Sequence, residues 1–298
     1  MRGWWQDLTD LVLPAECGGC GRPRTVLCPE CRAALSGAAP CRVRSVPEPP
    51  GLPVVHAAAA YEDEVRAVLL AHKERGALTL AGPLGVALAG AVRAGLGSVR
   101  RPGPVGSLTA PEDRLKLGKG QLWAARGGRT QVDDVGDAVR GPVLLVPVPS
   151  SRRAVRARGH DPARRIALAA AGELRRTGTP ARVLCVLRQR RAVADQSGLN
   201  SRQRLDNLAG ALEVVAGGVR LLADGGRVVL VDDLMTTGAS LTEAARAVRA
   251  AEASVKGTDP TVVVGRMAGM GQAGGTSGDM ICAAVVAAPP DSFEINRN

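Results

Sequence analysis

The chain has 298 residues, enough for one large domain or two modest ones and for a well-buried core. Hydrophobic residues make up 45% of the sequence but aromatic residues only 2%, so the core must consist mainly of Ala, Val and Leu. We expect no apolar run as long as a transmembrane helix, and Asp7 and Asp10 interrupt the first apolar stretch, which makes it a poor secretory signal. These features argue against a membrane or secreted protein and predict a cytoplasmic one without a membrane span.

The charge is strongly basic: 39 basic and 28 acidic residues give a formal net charge of +11. Such a surface attracts polyphosphates and nucleic acids. The aromatic side chains that stack on single-stranded nucleic acid are nearly absent, however. Charge alone therefore does not establish nucleic-acid binding.

Residues 1–46 begin with an apolar stripe of helical period and then carry two C-x-x-C pairs, Cys17 with Cys20 and Cys28 with Cys31. Four thiolates can surround one tetrahedral Zn²⁺ at Zn–S distances of about 2.3 Å and leave no open position, so such a zinc is structural. In a cytoplasmic chain these pairs are more often metal sites than disulfides, and the context of a thioredoxin-like redox pair is missing. The sequence therefore predicts a small N-terminal zinc module.

The remainder of the chain alternates strands and helices, which is typical of an α/β domain. Its first part, residues 54–97, contains a strand and two helices. Residues 98–141 are polar and punctuated by Gly and Pro without a sustained period, so we interpret them as a flexible basic insertion. Residues 142–290 return to ordered patterning and form the predicted core of the domain. The strands predicted there are 143–148, 182–187, 211–215, 228–231, 261–264 and 281–287.

The most informative stretch is residues 228–240, which read VVLVDDLMTTGAS. Four aliphatic residues in a row predict a strand buried on both faces of a parallel sheet, and a helix is predicted to begin near Ala239. Asp232 and Asp233 stand at the carboxyl end of this strand. That end is the edge at which open α/β sheets bind ligands.

The turn between this strand and helix suits a sugar phosphate. A helix N-terminus offers unpaired N–H groups and a partial positive charge, and Gly238 lets the backbone approach a ligand closely. Asp232 and Asp233 can accept hydrogen bonds from vicinal sugar hydroxyls. The residues whose hydroxyls can donate to phosphate oxygens are Thr236, Thr237 and Ser240. We interpret the stretch as a site for a sugar 5-phosphate. An ordinary solvated turn is the alternative, and a Walker-type loop is a poorer fit because its G-x-x-x-x-G-K-[ST] pattern does not occur.

A second candidate anion site follows the strand predicted at 143–148. Pro149, Ser150 and Ser151 come at its end, ahead of several arginines that include Arg158. Hydroxyls and guanidinium groups ahead of a helix suit an anion, while solvated arginines on a loop explain the pattern equally well, so both interpretations stay open. The polar loop 188–207 has a length that is often found in lids.

Residues 228–240 resemble the phosphoribosyl-pyrophosphate (PRPP) motif of type I phosphoribosyltransferases. Together with the cysteine pairs, they make the chain similar to the ComF family of phosphoribosyltransferase-like proteins over nearly its full length, apart from the insertion. The further matching marks are Tyr61, the turn 73–76, the PVP stretch, Arg158 with Gly159, Gln196, Leu199, Arg202 and Asn207. The chain departs from the family's usual R-G-F-N-Q, which reads Arg158-Gly159-His160-Asp161-Pro162 here, and a further cysteine pair is reduced to Cys41.

The resemblance implies a type I phosphoribosyltransferase fold, a parallel sheet flanked by helices, with a zinc-binding N-terminus. Asp232 and Asp233 would hold the ribose 2- and 3-hydroxyls, and Mg²⁺ would bridge pyrophosphate to ribose. The residues implied around the 5-phosphate are Thr236, Thr237, Gly238 and Ser240. The residues implied around the rest of PRPP are Pro149, Ser150, Ser151, Arg158 and Gln196. Arg202, on the closing loop, would assist Asp232 and Asp233 in catalysis.

The implied activity is transfer of phosphoribose from PRPP to an unidentified acceptor, with a nucleobase as the candidate class, and release of pyrophosphate. The alternative is a non-catalytic, PRPP-responsive accessory protein of natural competence, whose partners would be single-stranded DNA or a competence helicase. A third interpretation makes the zinc module a protein-docking platform on a degenerate fold. Fold alone does not decide between them.

Overall fold

The computed structural model describes residues 16–98, 141–193, 198, 200–223, 226–256 and 281–293. The predicted N-terminal helix, nearly all of the insertion 98–141, Gln196 and the strand predicted at 261–264 lie outside these residues. The described part is an α/β fold, in which helices flank a mostly parallel sheet and a four-cysteine cluster lies near the N-terminus.

The main sheet has six strands in the order β1–β2–β8–β7–β3–β4, and every neighbouring pair is parallel except β1 with β2. Two further strands, β5 and β6, form a separate antiparallel pair. The strands are β1 Cys41–Val43, β2 Val54–Ala60, β3 Val143–Pro147, β4 Ala181–Val183, β5 Leu187–Gln189, β6 Leu212–Val214, β7 Arg227–Leu234 and β8 Cys282–Ala288. Because β7 lies in the interior of the sheet, the residues at its carboxyl end have strands on both sides.

The helices pack on the two faces of the sheet and position the segments around β7. They are α1 Pro29–Ser36, α2 Asp63–Lys73, α3 Ala81–Ser98, α4 Arg152–Arg158, α5 Pro162–Arg176, α6 Ser201–Leu208, α7 Gly218–Ala223 and α8 Ala239–Lys256. Short 3₁₀ turns occupy Leu78–Leu80 and Pro290–Ser292. Helix α3 packs closely against α5, and α8 packs against α6, α7 and β7.

Alternate residues of β7 belong to opposite cores. Val229 and Val231 pack in the core that contains residues of α3 and α5, whereas Val228 and Leu230 pack in the core that contains residues of α8. All four side chains are 5% exposed or less. This burial on both faces explains the uninterrupted aliphatic run in the sequence. The same burial holds the strand in place and thereby fixes the acidic pair at its carboxyl end.

Most predicted elements within the described residues are confirmed with small shifts at their ends, including the start of α8 at Ala239. The strand predicted at 182–187 is wrong as a single element. The chain forms β4 in the main sheet, leaves it, and then forms β5, which pairs with β6 rather than with the main sheet. Helix α4 was not predicted, because seven residues with four arginines show no apolar period.

One expectation about membranes is also corrected. The segment Leu78–Gly97 is long and apolar enough to cross a membrane by length and composition, which the expectation of no such run had missed. The run is built largely from Ala, Gly and Leu, and 56% of it is buried inside the fold. It packs against α5 and the sheet, as a core helix does.

Candidate functional site at the carboxyl end of strand β7

The sheet order brings the two candidate anion sites together at the carboxyl ends of neighbouring strands. Strand β3 pairs with β7 in parallel, and Pro147 at the end of β3 is opposite Val231. The loop that starts with Pro149 and Ser150 therefore leaves the sheet beside Asp232 and Asp233. This edge is the one at which α/β sheets bind ligands.

The acidic pair has an ion-pair partner that the sequence did not indicate. Asp233 is buried, with 5% of its surface exposed, and its Oδ2 lies 2.8 Å from Nζ of Lys73, the last residue of α2. Asp232 is half-buried, and its Oδ1 accepts a hydrogen bond of 2.8 Å from the amide of Asp233. Two carboxylates and one ammonium group thus meet at the end of β7.

The pKa values of Asp232 and Lys73 are both raised, for different reasons. Burial, together with the neighbouring Asp233 carboxylate, raises the pKa of Asp232 well above its ordinary value. Burial lowers the pKa of Lys73, but the attraction of Asp233 and Asp232 outweighs it and the net pKa is raised. Lys73 is therefore held as a cation beside the acidic pair, while burial and the neighbouring Asp233 oppose ionisation of Asp232.

The turn after the acidic pair, residues 236–240, can surround an anion, and it is called the cup below. Gly238 has φ of 75°, in the left-handed region, and is buried under Leu52, whose Cδ1 would lie 3.0 Å from a Cβ at this position. Helix α8 begins at the next residue and runs for 18 residues, so its first N–H groups face the turn without intrahelical partners. A pocket is lined by Asp232 and by residues 234–241, which include Thr236, Thr237 and Ser240.

The loop after β3 is partly committed to structural roles. The Ser151 hydroxyl accepts a hydrogen bond of 3.1 Å from the amide of Ala154 and so caps α4. The amide of Ser150 donates to Asp161 Oδ2 at 3.3 Å, and the same carboxylate caps α5. Pro149 and Ser150 are both half-buried just after the end of β3.

Arg158 is held near Lys73 by an ion pair with Glu74, the residue that follows Lys73. Its Nε lies 3.6 Å from Glu74 Oε2, and its Nη1 is buried with no hydrogen-bond partner among the residues that the structure describes. His160 Nε2 forms a hydrogen bond of 3.1 Å with the carbonyl oxygen of His72 and ties this segment to the end of α2. The Arg158 guanidinium therefore lies near the Lys73 ammonium group, and its Nη1 has unused hydrogen-bonding capacity within the described residues.

The two arginines of α6 differ in their exposure and in their contacts. The predicted Arg202 is exposed and forms no hydrogen bond or ion pair within the described ranges. Arg204 instead reaches the turn after β7, where its Nη1 lies 3.5 Å from Thr236 Oγ1. Sequence reasoning missed Arg204 and Lys73, since both reach the site only through packing between distant segments. For Lys73 the available signal was the turn 73–76, one of the marks of the resemblance. For Arg204 it was the helical spacing, which places residues two apart on different faces of α6.

The four N-terminal cysteines form a compact cluster, as their spacing predicted. All four Sγ atoms lie within 4.8 Å of one another, and those of Cys20 and Cys28 are 3.6 Å apart. A tetrahedral zinc with Zn–S bonds of about 2.3 Å separates its sulfurs by about 3.8 Å, so the cluster is compatible with this ion. The turn at Gly21 has φ of 77°, as a tight knuckle requires.

Hydrogen bonds and burial give the cysteine thiols unequal acidities. Burial raises the pKa of Cys17, but bonds from the amides of Cys28, Cys20 and Gly19 outweigh it and lower the pKa to about 6. Burial raises the pKa of Cys31, with contributions from the neighbouring thiols. Backbone amides directed at sulfur, such as that of Cys28 at 3.3 Å from Cys17 Sγ, favour thiolates and hence a bound cation.

Comparisons with known proteins do not assign the chain to a family. No protein-family model matches the chain, and no curated protein matches it at a significant level. Any function must therefore be argued from the sequence motifs and from the geometry at the end of β7.

Proposed function

We propose that this chain binds PRPP with Mg²⁺ and transfers its phosphoribosyl group to an unidentified acceptor, a nucleobase being the candidate class, with release of pyrophosphate. It would then be a type I phosphoribosyltransferase, whose PRPP motif residues 228–240 resemble, and of the ComF type, which the cysteine pairs and the other matching marks also resemble. One observation carries it: at the carboxyl end of β7, Asp232 lines one pocket together with the glycine turn at the N-terminus of α8, and Asp233 is the next residue of the strand.

The acidic pair would act on the ribose. Asp232 and Asp233 would accept hydrogen bonds from the two vicinal hydroxyls, while the turn of residues 236–240 would bind the 5-phosphate. When the bond between C1 and pyrophosphate breaks, positive charge develops on the ribose ring. The two carboxylates are fixed in place before that charge appears, so they would stabilise it without reorganisation.

The cations beside the acidic pair would receive the leaving group. Lys73 forms an ion pair with Asp233, and Arg158 has a buried Nη1 without a hydrogen-bond partner in the described structure. Both suit the negative charge that accumulates on departing pyrophosphate. Proton transfer to the leaving group is not required, so orientation and electrostatics would supply most of the rate enhancement.

The donor sets of the acidic pair and of the cysteine cluster suit different metals. The carboxylates of Asp232 and Asp233 are hard oxygen donors of the kind that Mg²⁺ accepts together with substrate phosphates. A bound Mg²⁺ would neutralise charge on pyrophosphate. The four thiols near the N-terminus suit Zn²⁺, which would hold the N-terminal module together.

Release of pyrophosphate from PRPP, measured against a panel of nucleobases, tests the proposal. We expect one acceptor to support turnover and Asp233→Asn to slow it about 100-fold or more, because a group fixed against the developing charge is lost. Asp291→Asn, at an exposed acid in a 3₁₀ turn, is the matched control. Turnover undiminished in Asp233→Asn, with the fold intact by circular dichroism, would contradict the mechanism.

A non-catalytic role with single-stranded DNA is the second candidate. The observation that favours it is the cluster of exposed arginines on α4, beside the same edge of the sheet: Arg152, Arg153 and Arg156. Phosphate contacts of this kind give binding that weakens steeply with salt. Titration of a labelled oligonucleotide at two salt concentrations, with all three arginines changed to Gln, tests it. Salt-independent or unchanged binding would remove this candidate.

A further inference from the structure

Arg204 is a cationic residue near the site that the proposed mechanism does not use. It lies in the middle of α6, whose N-terminus is fixed by a capping box: Asn200 accepts from the amide of Gln203, and Gln203 accepts from the amide of Asn200. Helix α6 packs against α8, the helix whose N-terminus forms the cup. The backbone that carries Arg204 is therefore held in place beside the turn after β7.

The guanidinium group of Arg204 is placed at the cup but incompletely bonded. Nη1 lies 3.5 Å from Thr236 Oγ1, a long contact for a hydrogen bond. Nε is buried and has no hydrogen-bond partner in the described part of the chain. A buried charged donor without a partner is costly, and an anion in the cup would satisfy it.

A second unpartnered group lies against the same turn. Ser45 is 5% exposed, and its Oγ finds no hydrogen-bond partner among the described residues. This oxygen would lie 3.4 Å from a Cβ at Gly238, so it borders the glycine around which the cup is built. Two buried donors with unused hydrogen-bonding capacity therefore border the N-terminus of α8, each on a different segment of the chain.

We propose that Arg204 completes the 5-phosphate site and binds the phosphate beside the turn that precedes α8. This inference rests on the proposed function, since it names a further residue of the same PRPP site. The ligand class is a phosphomonoester of ribose, whose oxygens a planar guanidinium can bind in pairs. In this assignment Arg204 takes the place of Arg202 as the arginine of α6 that contacts the substrate.

Binding of ribose 5-phosphate and of PRPP·Mg²⁺, measured by calorimetry, tests this assignment. We expect Arg204→Gln to weaken both ligands about 10- to 100-fold, the range for a lost charge-assisted hydrogen bond, and Arg204→Lys to restore part of the loss. Affinity for pyrophosphate·Mg²⁺ alone should stay unchanged, because that ligand would occupy the end of the site near Arg158 and Lys73. A merely structural role of Arg204 would weaken all three ligands.

The controls separate the inference from the proposed function. Arg220→Gln, at an exposed arginine of α7, should bind ribose 5-phosphate like the wild type. Two results would overturn the assignment and leave the proposed function standing. One is that Arg204→Gln binds ribose 5-phosphate as tightly as the wild type does. The other is that Arg202→Gln loses this binding instead. A wild-type protein that binds neither ribose 5-phosphate nor PRPP would overturn both.

Discussion

At the scale of single residues, the ion pair between Lys73 and Asp233 has the largest consequences for the site. Asp233 has 7% of its side chain exposed and Lys73 34%, so the carboxylate depends on the ammonium group for its charge balance. The same carboxylate is the one proposed to bind a ribose hydroxyl. Lys73 is thus a structural partner in the free protein and a candidate contact for pyrophosphate in the complex.

Lys73→Gln should destabilise the protein by about 1–3 kcal/mol at neutral pH, because Asp233 loses its partner; solvent at the Lys73 side chain favours the lower part of that range. The folded protein raises the pKa of Lys73. The contribution of Lys73 is therefore full below the ordinary lysine pKa of about 10.4 and is lost as the pH rises through the folded value. Urea unfolding at neutral and alkaline pH measures it.

The wild type and Lys73→Gln should therefore converge in stability at alkaline pH. Lys73→Arg keeps the charge and serves as the control, with a smaller loss at neutral pH. A difference between wild type and Lys73→Gln that stays constant across this pH range would show that the ion pair does not stabilise the fold.

Gly238→Ala should lower stability by more than the backbone conformation alone explains. A non-glycine residue in the left-handed region costs about 1–2 kcal/mol. A Cβ at Gly238 would also meet Leu52 Cδ1 at 3.0 Å and Cδ2 at 3.1 Å. Gly178→Ala is the matched control, because Gly178 has φ of 86° and nothing within 4 Å of a Cβ. Thermal unfolding of both variants isolates the contact term, and equal losses would contradict close packing of the cup.

At the scale of elements, the cysteine cluster and helix α2 form one packed unit. Cys28 and Cys31 are 0% and 1% exposed and belong to the same core as Val68 of α2 and Leu80. A Cβ at Gly18 would lie 2.6 Å from Leu80 Cδ1, so the turn that carries the cysteines packs closely against Leu80. Helix α2 carries Lys73 at its end, which links the N-terminal module to the acidic pair.

Cys20→Ser should therefore remove bound zinc and lower the melting temperature. Cys20 is exposed, so the substitution changes the ligand set and leaves the packing of the buried thiols in place. Cys41→Ser, at an exposed cysteine outside the cluster, is the control and should keep both metal and stability. Metal content by mass spectrometry and differential scanning calorimetry measure the two effects. Zinc content unchanged in Cys20→Ser would contradict a four-cysteine site.

The elements also show what the sequence could reveal. Strand β7 and the start of α8 at Ala239 were predictable because a continuous aliphatic run and a helical period are local signals. Clustering of the cysteines was predictable from the spacing of metal ligands. The division of residues 182–187 between two sheets was not, since a strand's partner is set by tertiary pairing. The contacts of Lys73 and Arg204 were hidden for the same reason.

At the scale of the whole molecule, three separate segments meet at one edge of the sheet. The parallel pairing of β3 with β7 brings the loop after β3 to the acidic pair, α2 delivers Lys73, and α6 delivers Arg204 to the turn before α8. The carboxylates of Asp232 and Asp233 therefore lie near three cationic side chains at this end of the sheet, those of Lys73, Arg158 and Arg204. Such a mixture of charges suits a ligand that has both neutral hydroxyls and anionic phosphates.

Calorimetric titration of the wild-type protein with PRPP·Mg²⁺ tests this account most directly, with Asp232→Asn as the companion variant. Asn at 232 keeps an oxygen that can accept from the Asp233 amide, so the local fold is preserved while the charge is removed. We predict saturable binding at one site per chain, weakened at least about tenfold in the variant. Absence of saturable binding by the wild type, or equal affinity in both proteins, would contradict the claim that the end of β7 holds an activated ribose.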